Sequence, residues 1–559
     1  MSGFTRQDFP NQFATRFWFG TNQAEEGIDL RVDEANLGSQ DIVYAYQGDD
    51  TISADLSPTL IVFGGQGNDS IVGSQRPLAL NILSGDVGND TIVLQGGNLP
   101  QAFGGQGDDS LYGSGASSES MFGGQGNDVV RGRSGNDFLT GDRGLDIIWG
   151  DDAGGVGADT ILGGQESDTI VGGGGNDSIR GGQGNDYIEV DNSLSSNSPS
   201  GDAYVAGNDT VNGDAGNDTI GRSGVAGNDW YNGGDGNDSI LGGDQMNAAV
   251  GQNTPGDTLI GGAGNDNISG GLSSTASGAD SITGGAGNDI ITGGGETDNE
   301  SFQTGRGDTI SGGEGNDSIL GQAGTDSITG DAGQDTISGG SGGDSLNGGA
   351  DNDSIYGGAG ADSIIGGTGA DTLKGGAGRD TLIGSSSTSD NDNAADVFQF
   401  DINDLASSTQ GFTNGSTTAN NVDGLGTNNI PDGVAVAEAD YIVNFRQGQD
   451  KIEITRKTVT GLTLSFGNDT PADIPNQTIV FGRGFTAGAS PVSTNTNFAS
   501  VLGQVYSTQI GGNTVVYIER DGLAGFTTPT GNSPNRTGDI AVAELNGTVT
   551  LQASDFTFV

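Results

Sequence analysis

A nine-residue repeat constrains the fold of this chain more than any other feature of its sequence. Residues 261–269, which read GGAGNDNIS, are one of dozens of related copies. Each copy carries glycine at positions one, two and four, aspartate at position six, and Leu, Ile or Val at position eight. Because the apolar residue has polar neighbours, a three-residue strand would point it inward and its neighbours outward. The sequence therefore predicts a thin core with one apolar residue per repeat.

Composition and charge agree with a thin core and exclude some partners. Only 31% of the 559 residues are hydrophobic and 108 are glycine, so a conventional large core cannot form. Lys and Arg number 19 against 74 Asp and Glu, and the net charge of -55 opposes compaction without bound cations. We therefore expect no nucleic-acid partner. No apolar run approaches a membrane-spanning length, so we also expect no membrane insertion.

The glycine and aspartate positions predict a turn that binds a metal ion. Three glycines in six residues permit positive φ and bring backbone carbonyl groups close to a common point. The aspartate at position six adds a charged oxygen, and an all-oxygen shell of six or more ligands suits a hard cation such as Ca²⁺. The predicted cofactor is therefore Ca²⁺, bound as many ions.

The strict copies of the motif supply the candidate calcium ligands. In two turns Glu166 and Asp351 replace the fourth-position glycine, so we expect altered carbonyl geometry or occupancy there. The strict copies end at Asp69, Asp109, Asp128, Asp177, Asp186, Asp238, Asp266, Asp289, Asp317, Asp344, Asp362, Asp371 and Asp380. Looser copies end at Asp50, Asp90, Asp137, Asp146, Asp159, Asp168, Asp209, Asp218, Asp229, Asp257, Asp280, Asp308, Asp326, Asp335 and Asp353.

This repeat closely resembles the calcium-binding nonapeptide of the RTX (repeats-in-toxin, hemolysin-type) proteins. The resemblance implies an all-β fold, a parallel β-roll in which two nonapeptides make one coil. It also implies that each ion lies between the turns of successive coils, so that stacking closes the sites. Residues 41–384 carry the repeat and are predicted to form this RTX solenoid, with about fifteen coils.

Inserts divide the repeat region unevenly. Residues 307–384 run without interruption, whereas the earlier repeats are interrupted several times. Such loops supply binding surface in some solenoids. Their content of Ser, Asn and Gly is, however, equally typical of surface insertions without a function. The inserts lie around residues 74–83, 94–102, 113–121, 190–206, 244–255, 271–277 and 295–304.

Residues 1–40 precede the repeat and are predicted to cap the first coil, since the terminal units of solenoids are atypical. The alternatives are a subunit contact and a surface anchor. A short helix beginning near Pro10 and burying an aromatic face is predicted. Its aromatic residues are Phe9, Phe13, Phe17, Trp18 and Phe19.

From residue 385 the period fails, and residues 385–559 are predicted to form a mostly antiparallel β-domain that closes the last coil. The first of its segments resemble those that follow the repeats in RTX proteins. The ending, residues 553–559, resembles the C-terminal signal of type I secretion, although an ordinary last strand is the alternative. The predicted strands are Asp396–Phe400, Asp440–Phe445, Gln447–Ile452, Gln477–Phe481, Asn513–Ile518, Asp539–Leu545 and Thr548–Val559.

The sequence favours a structural product over an enzyme. It has no histidine and no cysteine, which excludes a Ser-His-Asp triad, a zinc protease motif, thiol nucleophiles and disulfides. Resemblance to RTX surface-layer and oscillin-type fibril proteins implies a secreted calcium-binding protein that self-associates at the cell surface. One alternative is a soluble adhesin or matrix protein that binds surface polysaccharide. The other is an enzyme with a carboxylate site in residues 385–559.

Overall fold

The computed structural model divides into two compact units, Met1–Thr297 (unit 1) and Asp298–Val559 (unit 2). Among the described residues every regular element is a β-strand, and there is no helix long and apolar enough to cross a membrane. The structure describes residues 5–8, 15–20, 28–29, 40–53, 59–76, 79–115, 117–152, 155–191, 207–221, 227–243, 255–271, 278–294, 307–385, 394–401, 440–443, 450–455, 505–510, 513–518, 540–545 and 556–558.

Unit 1 is a parallel β-solenoid whose strands alternate between two sheets. Its even-numbered strands pair in parallel in one sheet, and its odd-numbered strands from β3 onward pair in parallel in the other. The strands are β1 (Thr5–Asp8), β2 (Thr15–Phe19), β3 (Ile28–Asp29), β4 (Gln40–Tyr44), β5 (Thr51–Ser53), β6 (Thr59–Gln66), β7 (Ser70–Val72), β8 (Leu80–Val87), β9 (Thr91–Val93), β10 (Gln101–Gln106), β11 (Ser110–Tyr112), β12 (Ser120–Gln125), β13 (Val129–Arg131), β14 (Phe138–Arg143), β15 (Ile147–Trp149), β16 (Thr160–Gln165), β17 (Thr169–Gly173), β18 (Ser178–Gln183), β19 (Tyr187–Asp191), β20 (Thr210–Ala215), β21 (Thr219–Ile220), β22 (Trp230–Asp235), β23 (Ser239–Leu241), β24 (Pro255–Ala263), β25 (Asn267–Ser269), β26 (Ala279–Ala286) and β27 (Ile290–Gly294).

Unit 2 contains the same two-sheet solenoid, now with strands at regular nine-residue spacing from β28 to β36. The uninterrupted run predicted for residues 307–384 is confirmed by this spacing. The strands are β28 (Thr309–Glu314), β29 (Ser318–Ala323), β30 (Ser327–Ala332), β31 (Thr336–Ser341), β32 (Ser345–Ala350), β33 (Ser354–Ala359), β34 (Ser363–Thr368), β35 (Thr372–Ala377), β36 (Thr381–Ile383), β37 (Val397–Asp401), β38 (Asp440–Val443), β39 (Lys451–Thr455), β40 (Val505–Ile510), β41 (Asn513–Ile518), β42 (Ile540–Leu545) and β43 (Phe556–Phe558).

The core is the thin line of position-eight residues that the repeat predicts. In β9 the first residue is exposed, Ile92 is buried and the third residue is half-buried. Successive coils bring Leu111 and Val130 into register, and both are 0% exposed. The all-β parallel β-roll of about fifteen turns is therefore confirmed. Many strands are six residues long rather than three, because the first glycines of the next repeat also pair between coils.

The aromatic residues at the N-terminus form a strand, so the predicted helix is wrong at Phe17, Trp18 and Phe19. Strand β2 pairs in parallel with β4, and β1 pairs with β2 in the antiparallel sense. Alternation explains the difference, because Arg16 is buried while Phe17 and Phe19 stack on each other with ring centroids 6.3 Å apart. Phe9, Pro10 and Phe13 lie outside the described residues. The cap assignment of residues 1–40 remains a prediction.

The strands after residue 385 extend the solenoid before they turn antiparallel. In unit 2, β35, β37, β39 and β43 form parallel pairs in that order within one sheet. In the other sheet β36, β38 and β42 form parallel pairs in that order. The predicted antiparallel arrangement is found at β40, β41 and β42. The parallel strands repeat the Asp-x-apolar pattern of the nonapeptide at Asp396 and Asp450, which explains their pairing. The segment 477–481 lies outside the described residues, and the domain boundaries remain predictions.

Candidate metal centres

The position-six aspartates form ladders that run from coil to coil. The backbone N–H of Asp69 donates to Oδ1 of Asp90 at 2.7 Å, and the N–H of Asp90 donates to Oδ1 of Asp109 at 2.7 Å. All thirteen strict candidates occupy such ladder positions and are at most 3% exposed. The looser copies continue the same ladders. The structure therefore brings together the aspartates that the repeat singled out.

The second carboxylate oxygen of most ladder aspartates is buried without a hydrogen-bond donor. A buried carboxylate oxygen that lacks a partner is costly, so it needs a compensating positive charge. The residues whose Oδ2 is in this state are Asp69, Asp90, Asp109, Asp128, Asp137, Asp146, Asp159, Asp168, Asp177, Asp186, Asp209, Asp218, Asp238, Asp266, Asp335, Asp344, Asp353 and Asp362.

The first glycine of each repeat leaves space beside this oxygen. A Cβ atom placed on Gly163 would lie 2.5 Å from Oδ2 of Asp168 and 2.5 Å from the carbonyl oxygen of Gly181 in the next coil. No side chain fits at that separation, so the carboxylate and carbonyl oxygens border one small cradle. The second glycine, Gly164, has φ of +130°, a conformation that side chains rarely adopt.

The two turns that depart from the motif keep this backbone. Glu166 and Asp351 adopt φ of 71° and 78°, in the left-handed region that the fourth-position glycines also occupy. Oε2 of Glu166 accepts a hydrogen bond from the backbone N–H of Gly144 at 3.0 Å. The turn geometry at these positions is thus retained, and their occupancy remains a prediction.

A cation would stabilise the ionised form of the ladder aspartates. Burial raises the pKa of Asp128 to about 8, opposed by the hydrogen bond from the Asp109 backbone and aided by the charges of Asp146 and Asp109. Burial likewise raises the pKa of Asp353 to about 7. Each ladder therefore stacks carboxyl groups that resist ionisation together. A divalent cation between them would restore the ionised form.

These oxygens fit Ca²⁺ better than a transition metal. Among the described residues no three His, Cys, Asp or Glu side chains converge on one point, so backbone carbonyl groups must complete any shell. A shell of carboxylate and carbonyl oxygens is the kind that Ca²⁺ prefers. When bound, the ion would supply positive charge and link successive coils. The assignment of individual aspartates as ligands remains a prediction.

The position-five residues form a second ladder that the sequence reasoning missed. The backbone N–H of Asn89 donates to Oδ1 of Asn68 at 2.8 Å, and the N–H of Asn127 donates to Oδ1 of Asp108 at 2.8 Å. These bonds run opposite to those of the aspartate ladder, because the later coil donates to the earlier one. The signal was present, since Asn or Asp recurs before the position-six aspartate in many copies.

Glu119 is a further ladder member that the repeat pattern does not reveal. It lies in the insert around 113–121, yet its backbone N–H donates to Oδ1 of Asp137 at 2.7 Å. Its Oε1 accepts hydrogen bonds from the hydroxyl groups of Ser114 and Ser117. In unit 2, Asp396 and Asp450 extend the ladder beyond the last repeat, since the N–H of Asp396 donates to Oδ1 of Asp450 at 3.3 Å.

Comparison with known protein families agrees with this geometry. No curated protein matched the chain. The family model described as the RTX calcium-binding nonapeptide repeat matches residues 61–75, 101–117, 121–152, 153–188, 206–220, 223–254, 256–273, 274–299, 302–337, 338–373 and 356–387. With its aspartate ladders and glycine turns in the places that the repeat requires, the chain belongs to the family of RTX calcium-binding repeat proteins.

Proposed function

We propose that this protein is an extracellular structural protein that folds when Ca²⁺ binds, after type I secretion, and assembles into a cell-surface layer or fibril. The observation that carries the folding step is the series of buried Oδ2 atoms without a donor. Without the ion these carboxylates would oppose stacking of the coils. With it they join one coil to the next, so metal binding and folding are a single event.

Export before folding follows from the calcium concentrations on the two sides of a membrane. Extracellular calcium modules typically have dissociation constants of about 10⁻⁴–10⁻³ M, well above cytosolic free Ca²⁺. The chain would therefore stay expanded inside the cell and fold outside. Circular dichroism should show coil in EDTA and β-structure in millimolar Ca²⁺. A β spectrum that persists in EDTA, with no bound metal, would contradict the proposal.

Assembly is supported by an apolar strip on the outer side of the first coils of unit 1. Phe19 stacks on Tyr44 at 5.7 Å between ring centroids, and Tyr44 stacks on Phe63 at 5.1 Å. Tyr44 and Phe63 alternate with buried residues along their strands and so face outward, and Phe17 and Phe19 continue the same stack; all four rings are half-buried. Contiguous apolar surface of this kind marks interaction sites. The occupant we propose is a second copy, which can approach a surface of the same strong negative charge once Ca²⁺ neutralises both.

Sedimentation of the full-length protein tests the assembly. We expect a polymer in millimolar Ca²⁺ whose contacts involve residues 1–40 and 385–559, and a monomer after chelation. Deleting residues 1–40, or introducing Phe17→Thr with Phe19→Thr, should abolish the polymer and leave calcium binding largely intact. Ile260→Thr, at an outward half-buried position far along unit 1, is the control and should polymerise normally. A full-length protein that stays monomeric would reject assembly.

A second candidate, a soluble adhesin for acidic polysaccharide, is favoured by a cluster of two arginines and two aromatic rings. The guanidinium carbon of Arg131 lies 4.0 Å from the ring centroid of Trp149, and that of Arg133 lies 6.0 Å from the ring centroid of Tyr112. Asp152 approaches Nε of Arg133 at 3.6 Å, which leaves the group with a net positive charge. Stacked guanidinium groups of this kind can donate to carboxylates.

Binding to a polyuronate separates the two candidates. A soluble adhesin predicts a monomer in Ca²⁺ that binds polygalacturonate, with loss of binding in Arg131→Gln and no binding to neutral dextran. Arg143→Gln, at an exposed position outside the cluster, is the matched control. A polymer that binds neither polysaccharide supports the structural role.

A further inference from the structure

One turn in unit 1 satisfies its ladder aspartate without any ion. Tyr231 takes position eight of its repeat, where most copies have Leu, Ile or Val, and it is 0% exposed. Its hydroxyl group donates to Oδ2 of Asp229 at 3.0 Å. Oδ1 of Asp229 already accepts the backbone N–H of Asp209 at 2.9 Å. Both oxygens of this carboxylate are therefore hydrogen-bonded within the protein.

The next member of the same ladder is satisfied in a different way. The backbone N–H of Asp229 donates to Oδ1 of Asp257 at 2.9 Å, as in other coils. Oδ2 of Asp257 accepts the backbone N–H of Gly243 at 2.8 Å. Asp229 and Asp257, two consecutive ladder positions, thus have no buried Oδ2 atom that lacks a donor. Such an atom is present at Asp209, the preceding position of the same ladder, and at Asp238, on the aspartate ladder of the alternate repeats.

A donor on Oδ2 competes directly with a cation. The hydroxyl hydrogen carries partial positive charge at the place where an ion would bind, and the two repel. The hydrogen bond also removes much of the desolvation cost that makes ion binding favourable at the other turns. Tyr231 cannot swing away without opening a hole in the one-residue-wide core, so the hydroxyl group stays in place.

We propose that the turns of Asp229 and Asp257 carry no Ca²⁺ and are closed by internal hydrogen bonds, with the Tyr231 hydroxyl group as the device that excludes the ion at Asp229. The inference rests on the proposed calcium binding of the other turns. Ca²⁺ ions would then link the turns of successive coils in unit 1, except at these two consecutive turns on one side of the solenoid. It also predicts that removing the hydroxyl oxygen of Tyr231 creates a calcium site at Asp229.

Native mass spectrometry of the full-length protein at saturating Ca²⁺ counts the ions directly. Asp209→Asn should lose at least one ion, whereas Asp229→Asn should keep the wild-type count. Tyr231→Phe keeps the ring and frees Oδ2 of Asp229, so it should gain one ion, and adding Asp229→Asn to it should remove that gain. Tyr187→Phe, which deletes an exposed hydroxyl group bonded to Glu189, is the control and should leave the count unchanged.

The outcomes separate this inference from the calcium-binding function itself. Loss of an ion from Asp229→Asn, or an unchanged count in a Tyr231→Phe protein whose circular dichroism matches the wild type, overturns the inference alone. If Tyr231→Phe does not fold, the comparison of Asp229→Asn with Asp209→Asn still decides. A wild-type protein that holds no ions overturns both the inference and the proposed function.

Discussion

The backbone N–H of Asp326 donates to Oδ1 of Asp344 at 2.9 Å, one full coil further along the chain. One oxygen of Asp344 therefore fixes the stacking of two coils, while its Oδ2 remains buried and without a donor. The same side chain is both a mechanical link and a candidate ligand. Variants must separate these two roles, which an amide substitution does because it keeps one carbonyl oxygen.

Asp344→Asn should raise the Ca²⁺ concentration at the midpoint of folding. The amide keeps Oδ1 for the Asp326 N–H but removes the charge and one ligand oxygen. A site that binds about tenfold more weakly costs about 1.4 kcal/mol. Calcium titration followed by circular dichroism measures the midpoint. Glu314→Gln removes the same charge from an exposed side chain in unit 2 and should leave the midpoint unchanged, and equal shifts in both would refute the ligand assignment.

Ile319→Asp should destabilise unit 2 far more than Leu320→Asp. Ile319 is 2% exposed in the core, and an unpaired charge there costs about 3–5 kcal/mol. Leu320 is 41% exposed on the outer side, where the same substitution should change stability by about 0.5 kcal/mol or less. Thermal melting at saturating Ca²⁺ makes the comparison. Similar melting temperatures would show that the inward and outward positions are wrongly assigned.

Arg16→Met should release strand β2 from unit 1. Arg16 donates from Nε to Oδ1 of Asp41 at 2.6 Å, and the two side chains are only 8% and 2% exposed. Removing one member of a buried pair leaves an uncompensated charge and costs about 3–5 kcal/mol. Hydrogen exchange at Thr15–Phe19 should accelerate in the single variant and recover in Arg16→Met with Asp41→Leu. Unchanged exchange in Arg16→Met would show that the pair does not hold the strand.

In EDTA the folded form should be favoured by acid. Burial first, then neighbouring carboxylates, raises the pKa of Asp209 and Asp159 to about 8 in the metal-free fold, against an ordinary value of 3.8. The fold therefore binds more protons than the unfolded chain between about pH 4 and pH 8, and its relative stability rises as pH falls through that window. Circular dichroism in EDTA should show more β-structure at pH 4 than at pH 8. An equal coil spectrum at both values would contradict the raised pKa values.

The sequence predicted the repeat architecture well because each nonapeptide determines its own local structure. The position-eight core and the buried ladder aspartates follow from glycine spacing and alternation alone. Contacts between coils were harder to predict. The recurring position-five Asn or Asp does not by itself show which coil Asn68 bonds to, and Glu119 lies in an insert outside the repeat. The helix predicted at Phe17 failed because four-residue aromatic spacing competes with strand alternation, and pairing with β4 decided the outcome.

The paired ladders also bear on how such a protein ages. An asparagine deamidates when the backbone nitrogen of the following residue attacks its side-chain carbonyl carbon. In the Asn68–Asp69 pair, Oδ1 of Asn68 accepts from Asn89, while the nitrogen of Asp69 is bound to Oδ1 of Asp90. The attacking nitrogen and the target side chain are each fixed by a separate hydrogen bond to the next coil, at Asp90 and Asn89 respectively. Stacked coils therefore shield these asparagines from a reaction to which the unfolded chain is open.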